Sequence, residues 1–335
     1  MIVKPLYKAL FSAFLAVALL LAITVGYYHH SLDRLLKFSD ETFTVGRGET
    51  LNSITGRLQD KGVIDEPYTL KIRSRLSGID KKIHAGEYRL HKNVTIRSLL
   101  DQFARGEGQV EFKVVIIEGW SFKQMRQLIE RAEKLKKVTI GWDDQKIMEE
   151  LGYPDLHPEG QFYPDTYYYK SGDTDLSIYL VAFNLMQKKL DEAWNNRSEG
   201  IMIDSRYDAL IMASIIEKET QYRPEQPTIS GVFDNRLRKG MKLQTDPTVI
   251  YGLGDSFNGN LTRKHLRTDT PYNTYTRYGL TPTPISLPGW QSLDAAVNPA
   301  NTDAYYFVAK GAGQHKFSRT LREHNRAVQK YLLSK

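Results

Sequence analysis

The residues best suited to chemistry in this chain are two carboxylates, Glu217 and Glu219, in the stretch ASIIEKE. They close an apolar run that opens at Ser205. Ser205 and Asp208 read as a helix start: a hydroxyl for the free backbone N–H groups and a carboxylate near the positive helix end. An ionised group is costly to bury unless paired, so two carboxylates at the exit of an apolar helix are informative. At roughly 100° per residue they point to nearly opposite faces. Glu219 lines up with Met212, Ile215 and Ile216, which read as core. Glu217 lines up with Leu210, Ala213 and Ser214, whose small side chains leave space beside it. A catalytic acid needs such a place, with apolar walls that raise its pKa and room for a substrate. Helical phase therefore favours Glu217. The other reading makes both glutamates surface charges that pair with Lys218 or Arg223.

Other chemistries find no constellation. Cysteine is absent, which removes disulfides, thiol catalysis and cysteine-bound metal. The eight histidines are His29–His30 and then single residues, with no HExxH spacing, so no metal site is expected. There is no G-x-S-x-G and no glycine-rich phosphate loop, and no cofactor is expected. His265, His315 and His324 read as polar loop or helix residues. The net charge of +7 is localised: residues 1–30 hold two lysines and no acid, and residues 310–335 hold seven Lys/Arg against one acid. The rest is close to neutral, so a nucleic-acid partner is not expected.

The motifs ASIIEKE, GVFDNRL, LQTDPTVIYGLG, PYNTY with GLTPTPI, and EHNRAV follow one another in order. Together they resemble the catalytic domain of the endolytic murein transglycosylase (YceG-like) family, over nearly the whole chain. The resemblance implies that the first glutamate of the triplet, Glu217, is the catalytic acid/base. It implies peptidoglycan glycan strands as substrate, peptidoglycan synthases as working partners, and the cytoplasmic (inner) membrane as location. Gln244, Thr245 and Asp246, a turn of side-chain donors and acceptors, are candidate substrate contacts together with Asn273 and Tyr275.

The elements that must position these residues define an α+β chain. Residues 1–8 are expected in the cytoplasm, ahead of an apolar helix at 9–28 long enough to span about 30 Å of hydrocarbon. Lys4 and Lys8 precede it and Tyr27–Tyr28 end it, as positive-inside and aromatic-belt rules require of an uncleaved anchor. A linker at 29–42 leads to a strand–helix–helix–strand unit at 43–92, which resembles a LysM module. Either sugar binding or spacing from the membrane would suit it. A second small α/β unit is expected at 93–155, and a mainly helical catalytic domain with long loops, like a lytic transglycosylase, at 156–335. Prolines and glycines make residues 152–169 a break, in which Tyr163, Tyr167, Tyr168 and Tyr169 either stack on sugars or pack a seam. Residues 175–196 and 228–240 read as helices flanking the catalytic one, and the four prolines of 271–289 as an irregular wall.

One carboxylate suffices for a lytic transglycosylase, because the substrate supplies its own nucleophile, whereas hydrolytic glycosidases generally use two. The expected reaction protonates the glycosidic oxygen between N-acetylmuramic acid and N-acetylglucosamine. The same carboxylate then takes the proton of the muramyl C6 hydroxyl as that oxygen closes a 1,6-anhydro ring. A non-catalytic, membrane-tethered wall-binding scaffold is the competing class. A hydrolase with Asp246 as second carboxylate is the third.

Overall fold

The structure, a computed structural model, describes residues 3–37, 42–90 and 93–334, with residues 3–6 described by backbone only. Residues 1–2 of the expected cytoplasmic segment, the Lys4 side chain, residues 38–41 of the linker, residues 91–92 and Lys335 lie outside the described residues. The chain divides into two compact units, Met1–Phe112 with Tyr169–Asp173, and Lys113–Tyr168 with Thr174–Lys335.

The first unit begins with helix α1 (Val3–Asp33). An 18-residue window of its Tyr7–Asp33 stretch has mean hydropathy 2.5 and none of it is buried, so the helix is long and apolar enough to cross a membrane. The helix does not end in free solvent. Leu32 and Leu36 enter the core of the unit, Ser31 and Thr69 hydroxyls lie 3.1 Å apart, and Tyr27 donates to Glu66 at 2.6 Å. That core is closed by β1 (Thr42–Val45), α2 (Leu51–Asp60), α3 (Pro67–Ser77), β2 (Gly86–Arg89) and α4 (Ile96–Arg105). β1 pairs antiparallel with β2, with Phe43 opposite Tyr88. The alternation of β1 sends Phe43 and Val45 inward, onto Ile54, Leu58, Leu99 and Phe103. Thr50 caps α2, and a Thr95–Ser98 capping box opens α4.

β3 (Glu111–Val115) and β4 (Thr166–Lys170) pair with one another. The strand β4 overlaps the end of the stretch expected as a break. Its residues alternate: Tyr167 and Tyr169 are buried and Tyr168 is 64% exposed, so the buried pair serves as packing.

The second unit carries α5 (Phe122–Arg131), α6 (Asp144–Glu150), α7 (Asp175–Asn195), α8 (Arg206–Glu219), α9 (Gln226–Arg238), α10 (Asp246–Leu253), α11 (Arg263–Arg267), α12 (Trp290–Val297), the hairpin β5 (Tyr306–Gly311) and β6 (Gln314–Ser318), and α13 (Leu321–Val328). Helix α8 is its centre. Ser205 accepts from the Asp208 N–H, as its sequence position predicts. Every residue from Ala209 to Glu217 is buried, so the helix is enclosed on all faces, packed by α7, α9, α10 and α12. The turn expected at 244–247 is shorter than anticipated. α10 starts at Asp246 with Pro247 in its first turn, where the fixed φ of proline suits the helix and its missing N–H is harmless.

Candidate active site

Glu217 and Glu219 do face different environments, and the structure changes what each environment is. The space that Ala213 and Ser214 leave beside Glu217 is filled by the proline-rich segment. The Ile285 N–H donates to Ser214 Oγ at 2.9 Å, and Ser286 Oγ donates to the Ser214 carbonyl at 3.1 Å. Small residues on α8 allow a backbone to approach closely. That backbone delivers Gly289, the N-cap of α12, to the carboxylate. Glu217 Oε2 accepts the Gly289 N–H at 3.0 Å and the Ser292 hydroxyl at 2.8 Å. Glu217 thus caps α12, a favourable place for negative charge. It is 9% exposed, and burial pushes its pKa up against those two donors. Above it, Glu118 and Arg223 form an ion pair at 2.8 Å. A Cβ added at Gly289 would stand 2.1 Å from Glu118 Oε1, so a larger residue there would push the Glu118 side chain aside.

Glu219 ends α8 one turn beyond Ile215 and Ile216. Its carboxylate therefore passes the core residues that share its face and enters a pocket of about 310 Å³. Arg236, Gln244, Asp246 and Tyr275 line this pocket on its polar side, and Tyr306, Phe307, Leu321 and His324 complete it. The Thr245 hydroxyl donates to Glu219 Oε1; among the described residues no hydrogen bond ends on Oε2. Burial and the charge of Asp246 push the Glu219 carboxyl up to about 7, against Thr245 and Arg236, which pull it down; burial is the largest of these effects. No ion pair locks it among the described residues. The Tyr275 hydroxyl donates to Asp246 Oδ1 at 2.5 Å. Arg236 is buried, gives its guanidinium to the Tyr305 and Leu243 carbonyls at 2.7 and 2.5 Å, and lies 5.4 Å from the Tyr306 ring centre.

Of the five candidate substrate contacts, Gln244, Asp246 and Tyr275 line the Glu219 pocket, and Thr245 bonds the carboxylate itself. Gln244 holds a left-handed φ of 50°, which turns the chain into α10. Asn273 is different. It is fully buried, its amide donates to the His265, Leu266 and Thr268 carbonyls, and its oxygen accepts the Tyr275 N–H at 2.9 Å. Asn273 therefore ties the end of α11 to the loop that presents Tyr275.

Sequence reasoning gave no chemical role to Arg236, His324 or Glu159. Arg236 stands inside GVFDNRL and His324 inside EHNRAV, so both motifs held the signal without showing where it points. Glu159, in the 152–169 break, is 4% exposed and accepts from the Phe122 N–H at 2.9 Å and the Tyr251 hydroxyl at 3.2 Å; burial pushes its carboxyl up to about 7.

A sequence model of the YceG-like family matches residues 43–330. The chain belongs to the YceG-like family. The YceG-like chain is 33% identical over 304 residues to the endolytic murein transglycosylase of Bacillus subtilis (strain 168), covering 86% of this chain and 84% of that protein. It is 26% identical over 368 aligned positions to the endolytic murein transglycosylase of Streptococcus pneumoniae serotype 2 (strain D39), covering 98% of this chain and 66% of that longer protein. The crystal structure of a yceG-like protein from Listeria monocytogenes superposes with a TM-score of 0.53 at 29% identity, over 86% of this chain and all of that one.

Proposed function

We propose that this YceG-like chain is a peptidoglycan lytic transglycosylase in which Glu219 is the proton carrier. Its relatives named endolytic murein transglycosylase support the reaction class. The observation that carries the residue assignment is the convergence of Gln244, Thr245, Asp246 and Tyr275 on Glu219, beside an open pocket of about 310 Å³. A carboxyl near pH 7 with one oxygen held and, among the described residues, no hydrogen bond on the other can give a proton and take one back. Glu219 Oε2 protonates the glycosidic oxygen between N-acetylmuramic acid and N-acetylglucosamine, and that C–O bond breaks at the muramyl anomeric carbon. The muramyl C6 oxygen attacks the same carbon and loses its proton to Glu219. The product is a 1,6-anhydro end, and no water is consumed.

Two observations favour alternatives. Glu217 is buried with a raised pKa and, among the described residues, no hydrogen bond on Oε1, which keeps it as the second reading of the acid. Asp246 shares the pocket with Glu219, which would suit a two-carboxylate hydrolase. Mass analysis of the glycan ends separates the chemistries. Full-length protein in detergent, incubated with nascent glycan, should give anhydromuramyl ends, lighter by one water than hydrolytic ends. Reducing muramic ends would overturn the lyase assignment.

In this proposal α1 is a single-pass anchor in the cytoplasmic membrane, with Met1 inside and the chain from β1 onward outside. The strand–helix–helix–strand unit, read as LysM-like, contacts glycan or sets its distance from the bilayer. Activity there would shorten or release new strands as synthases extrude them.

A further inference from the structure

The pocket of Glu219 has a wall that the reaction as described does not use: the aromatic corner where α13 meets β5. His324 stacks on Tyr306, with ring centres 5.3 Å apart and planes at 27°, so its orientation is fixed. Its Nδ1 is buried and, among the described residues, has no hydrogen-bond partner, and His324 lines the pocket. Orphaned buried acceptors are tolerated better than orphaned buried N–H donors, so the tautomer to assign places the proton on Nε2. Nε2–H is then a neutral donor on the side that Nδ1 does not face. Burial, and secondarily the charge of Arg236, push the imidazole pKa down, which keeps the ring neutral. Beside it stand two apolar groups, Phe307 and the exposed Leu321. The same pocket is lined by two carboxylates, Glu219 and Asp246, which disfavour an anionic ligand here.

A neutral donor next to an apolar wall, in a pocket edged by acids, matches a secondary amide that ends in a methyl group. We propose that His324 is a specificity-determining residue that donates from Nε2 to the carbonyl oxygen of a substrate N-acetyl group, whose methyl packs on Phe307 and Leu321. This inference rests on the reading that Glu219 faces the scissile bond. It makes the closing helix part of the substrate site and predicts discrimination against glycan that has lost its acetyl groups.

The test is a cycle of two substrates and three proteins. Steady-state cleavage of fully N-acetylated glycan and of chemically de-N-acetylated glycan is measured with full-length wild type, His324→Phe and His324→Gln. Phenylalanine keeps the ring on Tyr306 and removes the donor; glutamine keeps an N–H donor. A neutral hydrogen bond corresponds to about a 3- to 10-fold change in affinity. KM for acetylated glycan should rise by about that factor in His324→Phe, with kcat changed less. KM for de-N-acetylated glycan should stay the same, and His324→Gln should recover part of the loss. The cycle cancels the charge of the free amine, because that charge is present with every protein. Equal effects of His324→Phe on both substrates would overturn the proposal and leave a packing role. Failure of the Glu219 assignment shows separately, as activity retained by Glu219→Gln.

Discussion

Removing the Thr245 hydroxyl tests the proton carrier without touching either glutamate. That hydroxyl donates to Glu219 Oε1 and stabilises the ionised form. Thr245→Val keeps the side-chain shape and the backbone bond from Thr245 N–H to Thr274 Oγ1 at 3.0 Å. A hydrogen bond to a charged group contributes about 1.5–3 kcal/mol. One pH unit corresponds to about 1.4 kcal/mol, so Glu219 should titrate about 1–2 units above its starting value of about 7. The free enzyme must begin protonated to act as acid, so kcat/KM falls as pH rises through this pKa. The assay is the pH dependence of anhydromuramyl end formation from pH 5 to 10. The alkaline limb should move up by 1–2 units in Thr245→Val, with kcat reduced because the carboxylate is then less often available as base. Ser292→Ala is the internal control, since it removes the hydroxyl from Glu217 and leaves the Gly289 N–H in place. Its limb should stay with wild type. A limb that moves in Ser292→Ala and not in Thr245→Val would refute the reasoning and return the chemistry to Glu217.

Much of the frame was legible in the sequence for physical reasons. An uncharged run of Leu, Ala, Val and Ile at 9–28 can be little but a long apolar helix, and α1 is one. Ser205 and the apolar spacing after it define α8 to within a residue. What the sequence could not supply was what covers each face. Periodicity places Glu219 with Met212, Ile215 and Ile216, which are indeed core, yet Glu219 is the last residue of the helix. Past that point the cover comes from residues 244–246, 275, 306–307 and 324, all distant in sequence. Likewise Ala213 and Ser214 promise space, but a small residue is as often an invitation to another backbone, here 285–286. Asn273 shows the same limit, because a polar loop residue reads as a contact for ligand until its three carbonyl partners are seen.

Two further outcomes follow from burial. Glu159 has a folded pKa of about 7, above its ordinary 4.5, so the folded state holds the proton more tightly. Its contribution is complete below about pH 4.5 and is lost as pH rises to about 7, a fall of about 3 kcal/mol at most. Glu159→Gln should flatten the thermal stability profile across that window; parallel profiles for variant and wild type would contradict the burial argument. In the first unit, Leu32 at the end of α1 and Leu36 just after it fill the core. A soluble form starting at residue 31 should keep slow amide exchange in β1 and β2. One starting at residue 38 loses both side chains, at about 2–5 kcal/mol each, and should exchange fast. Equal protection in the two forms would show that α1 is not part of that core.

The central claim is that one carboxylate at the end of α8, and not its neighbour two residues earlier, moves the proton. Full-length Glu219→Gln and Glu217→Gln, each shown to be folded, are compared with wild type for release of anhydromuramyl ends from nascent glycan. Glu219→Gln should release none, and Glu217→Gln should still cleave, more slowly and with lower thermal stability because α12 loses the charge at its cap. Persistent cleavage by Glu219→Gln, with Glu217→Gln silent, would contradict the account.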